Sequence, residues 1–597
     1  MSESISNERL SKRNLWGYSM GGIGRDMAYQ LVNTYLLTFI TFTKGLSNTE
    51  FAMVGVIMVI CRIFDGCNDP FMGSLIEITR TKIGKFKPWI LAGVFTNVAV
   101  IIALFCVPLR GTSYLIFFAF GYLLWGMTYT MNDISYWGMM PSLTSNPGDR
   151  NNLTTLANIG AGVGAGLSVL AIPSLTQGNL AIASNASKSY AIVSIIVCIV
   201  FFVCQIMTVF VVKEKPLPKV RVDDGEKRSL KEMFRVIFKN DQLKPVMAAM
   251  LLYSIGSGIT MALASYWIYY RFAYQGLLVT LFTVISGIST VVIVFFPILC
   301  KKHSRRWISK LSMIMIIVGY LLMFIISLAT GADPKADKVG FNVGEVFIPV
   351  TFIFTGLSGA CAFFGQTLFY QVLTISVANT VEYNEYTTGM RDEGVIFACR
   401  PFTTKLGSAA VVGITTLVVL ALGLNPTNKA ISNADYEAGQ LAIQVEQLVK
   451  DETPNFDSLS KEEQTKLIEA KKKSIETENV AKIEDIIHTN EDTKVAKWQY
   501  QTMFAFMTLL PLLILLGSFA IYFKKYNISE ERYDEICAEI ARRKLAAEGN
   551  AEVVLDGADV NELENDLASS DAETPDEIFE QEAAADKISE APDEVEK

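Results

Sequence analysis

The sequence predicts an all-α membrane protein. About 12 transmembrane helices are expected in two six-helix halves, with an extra helical extracellular insertion and a disordered acidic C-terminal tail. Three observations carry this. Hydrophobic residues make up 51% of the 597 and charged residues only 19%, against about 25% charged in an ordinary soluble domain. The apolar residues gather in long runs, such as Phe51 to Ile60, Ala191 to Val212 and Leu311 to Ala329, and roughly 20 apolar residues span a bilayer core as a helix. A basic polar stretch follows the sixth run and divides the chain into six and six. A backbone in lipid must satisfy its own hydrogen bonds, so many such runs call for a helical bundle.

The N-terminus, Met1 to Asn14, is polar, and no short apolar run with a small-residue cleavage site follows it. The first apolar run is therefore expected to stay as a membrane helix. The spans fall at roughly 15–43, 50–77, 88–107, 113–141, 153–175, 189–213, 245–272, 276–300, 308–330, 346–379, 393–422 and 499–524, placed by length and breakers. Alternate short loops are basic: Arg80, Lys82, Lys85 and Lys87, then the stretch from Lys213 to Lys244, then Lys301, Lys302, Arg305 and Arg306. That side is expected to be cytoplasmic, with both termini inside.

The domains expected are an N-terminal six-helix half (1–213), a cytoplasmic central linker (214–244) and the first five helices of a second half (245–424). An insertion (425–498), the last membrane helix (499–524) and a cytoplasmic amphipathic helix with the acidic tail (525–597) complete the chain. The insertion reads as helical, because Ser460-Lys-Glu-Glu463 is a capping-box pattern; a solvated helical hairpin outside the cell and over the exit is expected, with capture of substrate as its alternative role. Tyr533, Ile536, Cys537 and Ile540 share one helical face, so a short surface helix should precede the tail.

The net charge of −8 divides unevenly: residues 545–597 hold 18 acidic and 2 basic residues, or −16, which leaves +8 for the rest. Such a balance gives no hint of nucleic-acid binding. The nine cysteines lie almost all in or beside apolar runs without a close C-x-x-C pair, and the two histidines, His303 and His488, fall in expected loops. No disulfide framework, metal centre of histidines or cofactor is expected.

The informative residues are ionisable groups inside apolar spans. A carboxylate at mid-bilayer costs roughly 2.5–3.5 kcal/mol, so Asp26, Asp65, Asp69 and Asp133 should face the bundle interior. Asp65, Asn68 and Asp69 share a helical face and offer the oxygen ligands that a hard cation such as Na⁺ wants; a proton is the alternative. The structural alternative for Asp65 is a pair with Arg62. Thr130, Asp133 and Trp137 share a face of the fourth span. Thr130 and Asp133 would complete the oxygen shell, and Trp137 would stack on a sugar ring. Asp26 is suited to accept polyol hydroxyls, and a structural pair with Arg25 is disfavoured because helix neighbours point apart. Tyr29 and Tyr35 line the same helix. Lys405 would balance the carboxylates from the second half. Gly160, Gly162, Gly164 and Gly166 allow close helix approach.

The motifs Arg25-Asp26, Arg62-Ile-Phe-Asp65-Gly-Cys-Asn68-Asp69-Pro70, Gly84-Lys-Phe-Lys-Pro-Trp89, Trp125-Gly-Met-Thr-Tyr-Thr130-Met-Asn-Asp133, Asn379-Thr-Val-Glu382-Tyr, Met390-Arg-Asp-Glu393 and Thr404-Lys405-Leu-Gly-Ser408 together resemble the glycoside–pentoside–hexuronide:cation symporters, the melibiose permease-like branch of the major facilitator superfamily. The resemblance runs from about Leu15 to Leu424 and resumes at the last span. It implies a major facilitator fold with alternating access, a cation site at Asp65, Asn68, Asp69, Thr130 and Asp133, and sugar contacts from Arg25, Asp26, Asp133 and Trp137, with Lys405 near both. Asn158 stands where the melibiose-type pattern has a sugar-holding arginine, and Arg400 stands in place of glutamine, so melibiose itself is not expected.

These readings converge on a secondary transporter, not an enzyme, carrying a glycoside or oligosaccharide into the cell by symport with a cation, Na⁺ ahead of H⁺. Na⁺ is favoured because Asn68 and Thr130 add neutral oxygens that a proton does not need. The expected partners are the sugar, the monovalent cation and the bilayer of a bacterial inner membrane, and a monomer is expected. The alternatives are a cation-dependent lysolipid carrier, a non-transporting membrane sensor, and a membrane enzyme, for which no nucleophile–base pair or metal motif is present.

Overall fold

The computed structural model describes residues 10–144, 146–213, 239–272, 274–289, 292–330, 339–343, 346–390 and 393–547. Most of the central linker and the acidic tail lie outside them. The described residues fall into two units, one within Met1–Val381 and Arg391–Glu530, the other within Glu382–Met390 and Glu531–Lys597.

Every expected span finds helical structure. The first six are α1 (Lys12–Thr43), α2 (Asn48–Ile78), α3 (Lys87–Cys106), α4 (Gly111–Met139), α5 (Pro147–Thr176) and α6 (Ala186–Val211). The second group is α7 (Leu243–Arg271), α8 (Gly276–Ile288) with α9 (Val292–Lys302), α10 (Arg305–Thr330), α11 (Val350–Thr388), α12 (Glu393–Ala421) and, after the insertion, α16 (Lys497–Lys525). Among the described residues, nine helices are long and apolar enough to cross a membrane. The three expected spans outside that count are α1 and α2, which carry the buried charges, and the broken α8–α9.

Two spans need correction. The eighth is not one helix: α8 stops at Ile288, where Ser289 caps it, and α9 starts again at Val292 and contains Pro297. Gly287 and Ser289 favour a stop there, and proline removes a backbone donor further on. The tenth span does not begin at 346. Val346–Pro349 (β2) pairs antiparallel with Gly340–Val343 (β1) as a short hairpin beside the helices, and α11 instead runs on to Thr388. An apolar run of β-branched and aromatic residues reads equally as the start of a helix or as a strand.

Glycines bring α1 against α5 and α6. An added Cβ at Gly160 would lie 2.4 Å from the Ser19 carbonyl oxygen, and one at Gly164 would lie 2.1 Å from that of Ile23. Gly162 and Gly166 have nothing within 4 Å, so only half of the expected glycine stripe serves packing. Tyr18 and Tyr136 stack at 4.4 Å, and each hydroxyl donates to the other's carbonyl at 2.8 Å. This locks α1 to α4.

The first and second groups of six helices meet at one face of the bundle. Gly276 at the start of α8 sits on the Pro173 carbonyl near the end of α5, and the Ser174 and Thr280 hydroxyls share a hydrogen bond of 2.7 Å. Phe42 near the end of α1 packs among Tyr266, Tyr269, Tyr270 and Tyr274. Below these, α2 runs along α12, with Gly55 against Thr416 and Gly413 against Val59.

The insertion forms α13 (Asn425–Ile443), α14 (Val445–Glu452) and α15 (Lys461–His488). The capping box is formed: the Ser460 hydroxyl accepts from Glu463 N–H, and the Glu463 carboxylate accepts from Ser460 N–H at 3.0 Å. The insertion is docked on the helices. Asp435 is buried and accepts from Ala186 N–H at 2.5 Å and Ser187 N–H at 3.2 Å, capping α6 with a negative charge where the helix dipole favours one. Arg110 donates to Ser432 and Asn433. On the other side Tyr270 donates to Asn428, and the Tyr270 carbonyl lies 3.0 Å from His488. The insertion thus grips both groups of helices.

In the second unit, α17 (Glu530–Ala547) supplies the expected surface helix. Arg532 and Arg543 flank the Tyr386 ring at 5.7 and 4.8 Å.

Candidate functional site

Two clusters of charge lie within the helical body. The first is built on α1 and α4. Arg25, only 3% exposed, donates to Asp26 at 2.5 Å and lies 3.1 Å from Asp133. The pairing of Arg25 with its neighbour Asp26 corrects the sequence expectation. Backbone directions diverge, but a long guanidinium can fold back to reach an adjacent carboxylate. The Asp133 contact lacks hydrogen-bond geometry, and Arg25 Nη1 is left buried without a hydrogen bond. The guanidinium sits 4.7 Å over the Tyr136 ring and 4.8 Å over that of Trp137. One face of Trp137 is therefore covered by the guanidinium, and the ring also packs edge-on against Tyr136. Asn158 on α5 is exposed.

The second cluster joins α2, α4 and α12. Lys405 Nζ lies 2.9 Å from Asp65 and 2.6 Å from Asp69. Thr130 donates to Asp65 at 2.6 Å and stands 3.4 Å from Asp69. Arg62 does not pair with Asp65; it donates to Ser408 at 2.7 Å and to the Asn33 carbonyl at 3.2 Å. Asn68 is buried, and its side-chain nitrogen has no partner. Asp65, Asp69 and Asp133 do not converge on one point, because Asp133 belongs to Arg25. Among the described residues, no group of three histidine, cysteine or acidic side chains is placed to hold a metal ion. The oxygen set of Asp65, Asp69, Thr130 and Asn68 is nonetheless of the type that a hard monovalent cation takes, and the Lys405 ammonium stands where such a cation's charge would be neutralised.

Between the two groups of helices lies a cavity of about 570 Å³, lined by Asn33, Thr34, Arg62, Tyr253, Tyr370 and Ser408 among others. Asp26, Asp133, Trp137 and Asn158 are not in its lining, whereas Tyr35 is. Tyr29 packs instead on Tyr129 and Trp125. The sequence reading missed Tyr253 and Tyr370, which stack on each other at 5.5 Å, with Arg400 donating to the Tyr370 hydroxyl at 2.7 Å. The signal was present as Ser254 and Ser257 beside Tyr253, a polar strip in an apolar span.

The sequence pattern of the family described as MFS/sugar transport protein matches residues 17–443. The raffinose carrier protein of Pediococcus pentosaceus is 26% identical over 437 residues, covering 71% of this chain and 64% of its own. A lactose permease of Lactobacillus delbrueckii subsp. bulgaricus is 28% identical over 440 residues, covering 72% and 66%. The chain thus spans about two thirds of the length of these relatives. A crystal structure of a mutant nucleoside transporter NupG superposes with a TM-score of 0.50 at 11% identity, covering 85% of this chain and 99% of that one, which shows the shared fold. With its helices, its buried charges and a family match over most of its length, this multi-pass membrane protein belongs to the MFS/sugar transport protein family.

Proposed function

We propose that the protein carries a glycoside or oligosaccharide into the cell by symport with a cation, Na⁺ ahead of H⁺, through alternating access. The observation that carries this reading is the Lys405 ammonium between Asp65 and Asp69. A helix of the second group is tied to a helix of the first by charges that a small cation can take over. A cation bound by the two carboxylates would release Lys405 and loosen α12 from α2 where the two groups meet. Coupling requires only that cation and sugar bind better together than apart, typically by about 1–3 kcal/mol.

The sugar side of the reading rests on the Arg25–Asp26–Asp133 cluster. The buried, incompletely bonded Arg25 and the partly exposed Asp133 offer a donor and an acceptor to vicinal hydroxyls, with Trp137 beside them. The raffinose and lactose carriers among the relatives agree with a saccharide cargo. The groups of helices are closed at the face bearing the insertion, which the loop-charge reading places outside, with both termini in the cytoplasm of a bacterial cell.

The test is uptake of radiolabelled glycosides into cells with and without a Na⁺ gradient, comparing the wild type with Asp69→Cys. Sugar entry that rises with Na⁺ and collapses in the variant supports the proposal. Entry driven only by a pH gradient makes the coupling ion a proton, and no entry of any glycoside under either gradient overturns the reading.

A further inference from the structure

The insertion does more than cover a face of the bundle, because it closes over a chamber. A cavity of about 250 Å³ lies between α15, the segment joining α5 to α6 and Tyr274 of the second group of helices. Two of its lining side chains are more than nine-tenths buried and carry an acceptor with no hydrogen-bond partner: Gln177 Oε1 and Asn479 Oδ1. A buried acceptor left unpaired costs about 1–3 kcal/mol. Gln177 is held in place because its Nε2 donates to the Tyr274 hydroxyl at 3.0 Å. Whichever way that amide is turned, Tyr274 satisfies one end and the other still faces the chamber.

Tyr274 itself is unusual. Among the described residues it alone, glycines aside, has a positive φ, at 65°. A bulky side chain in this region is strained, and such strain gathers at ligand clamps. Buried Asp435 completes the wall, its carboxylate already engaged by the start of α6.

We infer that this chamber is a second binding site, separate from the charge clusters within the helices, for a neutral polyol the size of one sugar ring. The vacant ends are amide groups, an oxygen on Asn479 and either end of the Gln177 amide, and a hydroxyl, which both donates and accepts, satisfies each of them without bringing a charge. The chamber is smaller than the roughly 300–1,000 Å³ of sites for larger ligands, so an oligosaccharide is excluded. The competing occupant is water, which satisfies buried acceptors in polar cavities of this kind.

The test uses the full chain in lipid nanodiscs and hydrogen–deuterium exchange, with galactose, glucose and fructose as the probes. At about ten times the dissociation constant, a ligand slows exchange through local opening roughly tenfold. That protection is expected at residues 176–186 and 475–487, unchanged in Asp133→Asn and lost in Asn479→Leu and, as a second variant, Gln177→Met. If no probe protects these segments, water fills the chamber and the inference is wrong. If the protection disappears with Asp133→Asn, the effect comes from the membrane site and the inference is equally wrong. The site does not depend on the transport reading: uptake can fail while this protection stands, and the reverse.

Discussion

Lys405 places its ammonium 2.6 Å from the Asp69 carboxylate, and this contact ties α12 of the second group of helices to α2 of the first. Asp65 shares the same ammonium at 2.9 Å. A lysine bridging two helices in this way is a structural tie, and under the proposed coupling it holds the place that a cation would take.

Lys405→Ala removes the only cation seen between the two carboxylates among the described residues, leaving two negative charges close together. The pair is half-buried, at 27% exposure for Lys405 and 23% and 30% for the two carboxylates, so removing the lysine leaves their repulsion only partly screened by solvent. The expected result is a lower thermal unfolding temperature in choline chloride that sodium chloride largely restores. Equal unfolding temperatures in the two salts would show that the carboxylates do not take the cation.

Asp133→Asn keeps the shape of the side chain and removes its charge. Arg25 retains Asp26, so folding should be nearly unaffected. Loss of a charged contact to bound sugar of about 2 kcal/mol corresponds to roughly a 30-fold fall in uptake. Uptake assays paired with thermal unfolding separate this from a general loss of structure.

Burial pushes the Asp435 carboxyl from 3.8 up to about 6, against the pull of the Ala186 and Ser187 N–H groups and of Arg110. A raised value means that the docked insertion binds the proton more tightly than the undocked one. That contribution to docking is complete below about pH 4, falls as the pH rises to about 6 and is level above it. Resistance of residues 425–443 to proteolysis should therefore decline between pH 4 and 6.5. Asp435→Asn should flatten the profile; an unchanged profile would assign the dependence to another group.

Gly164→Ala and Gly162→Ala should differ in sign. The first drives a methyl group into the Ile23 backbone, and overpacking of this kind costs about 1–3 kcal/mol. The second meets nothing within 4 Å and should gain about 0.5–1 kcal/mol from helix preference. Thermal unfolding of the two purified variants measures both.

The spans were legible because their signal is length and hydropathy, which survive without knowledge of neighbours. The motif residues were legible too, since charge inside an apolar run demands a reason. Partners were harder to read. Arg62 was weighed as the mate of Asp65, yet it reaches Ser408 on a helix more than 300 residues away, and Arg25 turned back to Asp26. Such choices depend on which helices touch, and helix spacing along the chain does not contain that information. The strand at Val346–Pro349 and the break near Ser289 show the same limit locally, where one apolar run suits two backbones.

The position of the insertion also has a consequence for synthesis. The last of the expected membrane helices, α16, packs on α7, with the Ser518 hydroxyl donating to the Ala249 carbonyl at 2.6 Å and Leu515 against Gly256. At about 5–20 residues per second, the roughly seventy residues of 425–498 delay arrival of α16 by about 4–15 s. Throughout that interval the side of α7 that will receive α16 waits in the membrane uncovered, so a chain stalled within the insertion leaves a bundle one helix short, a natural substrate for quality-control proteases.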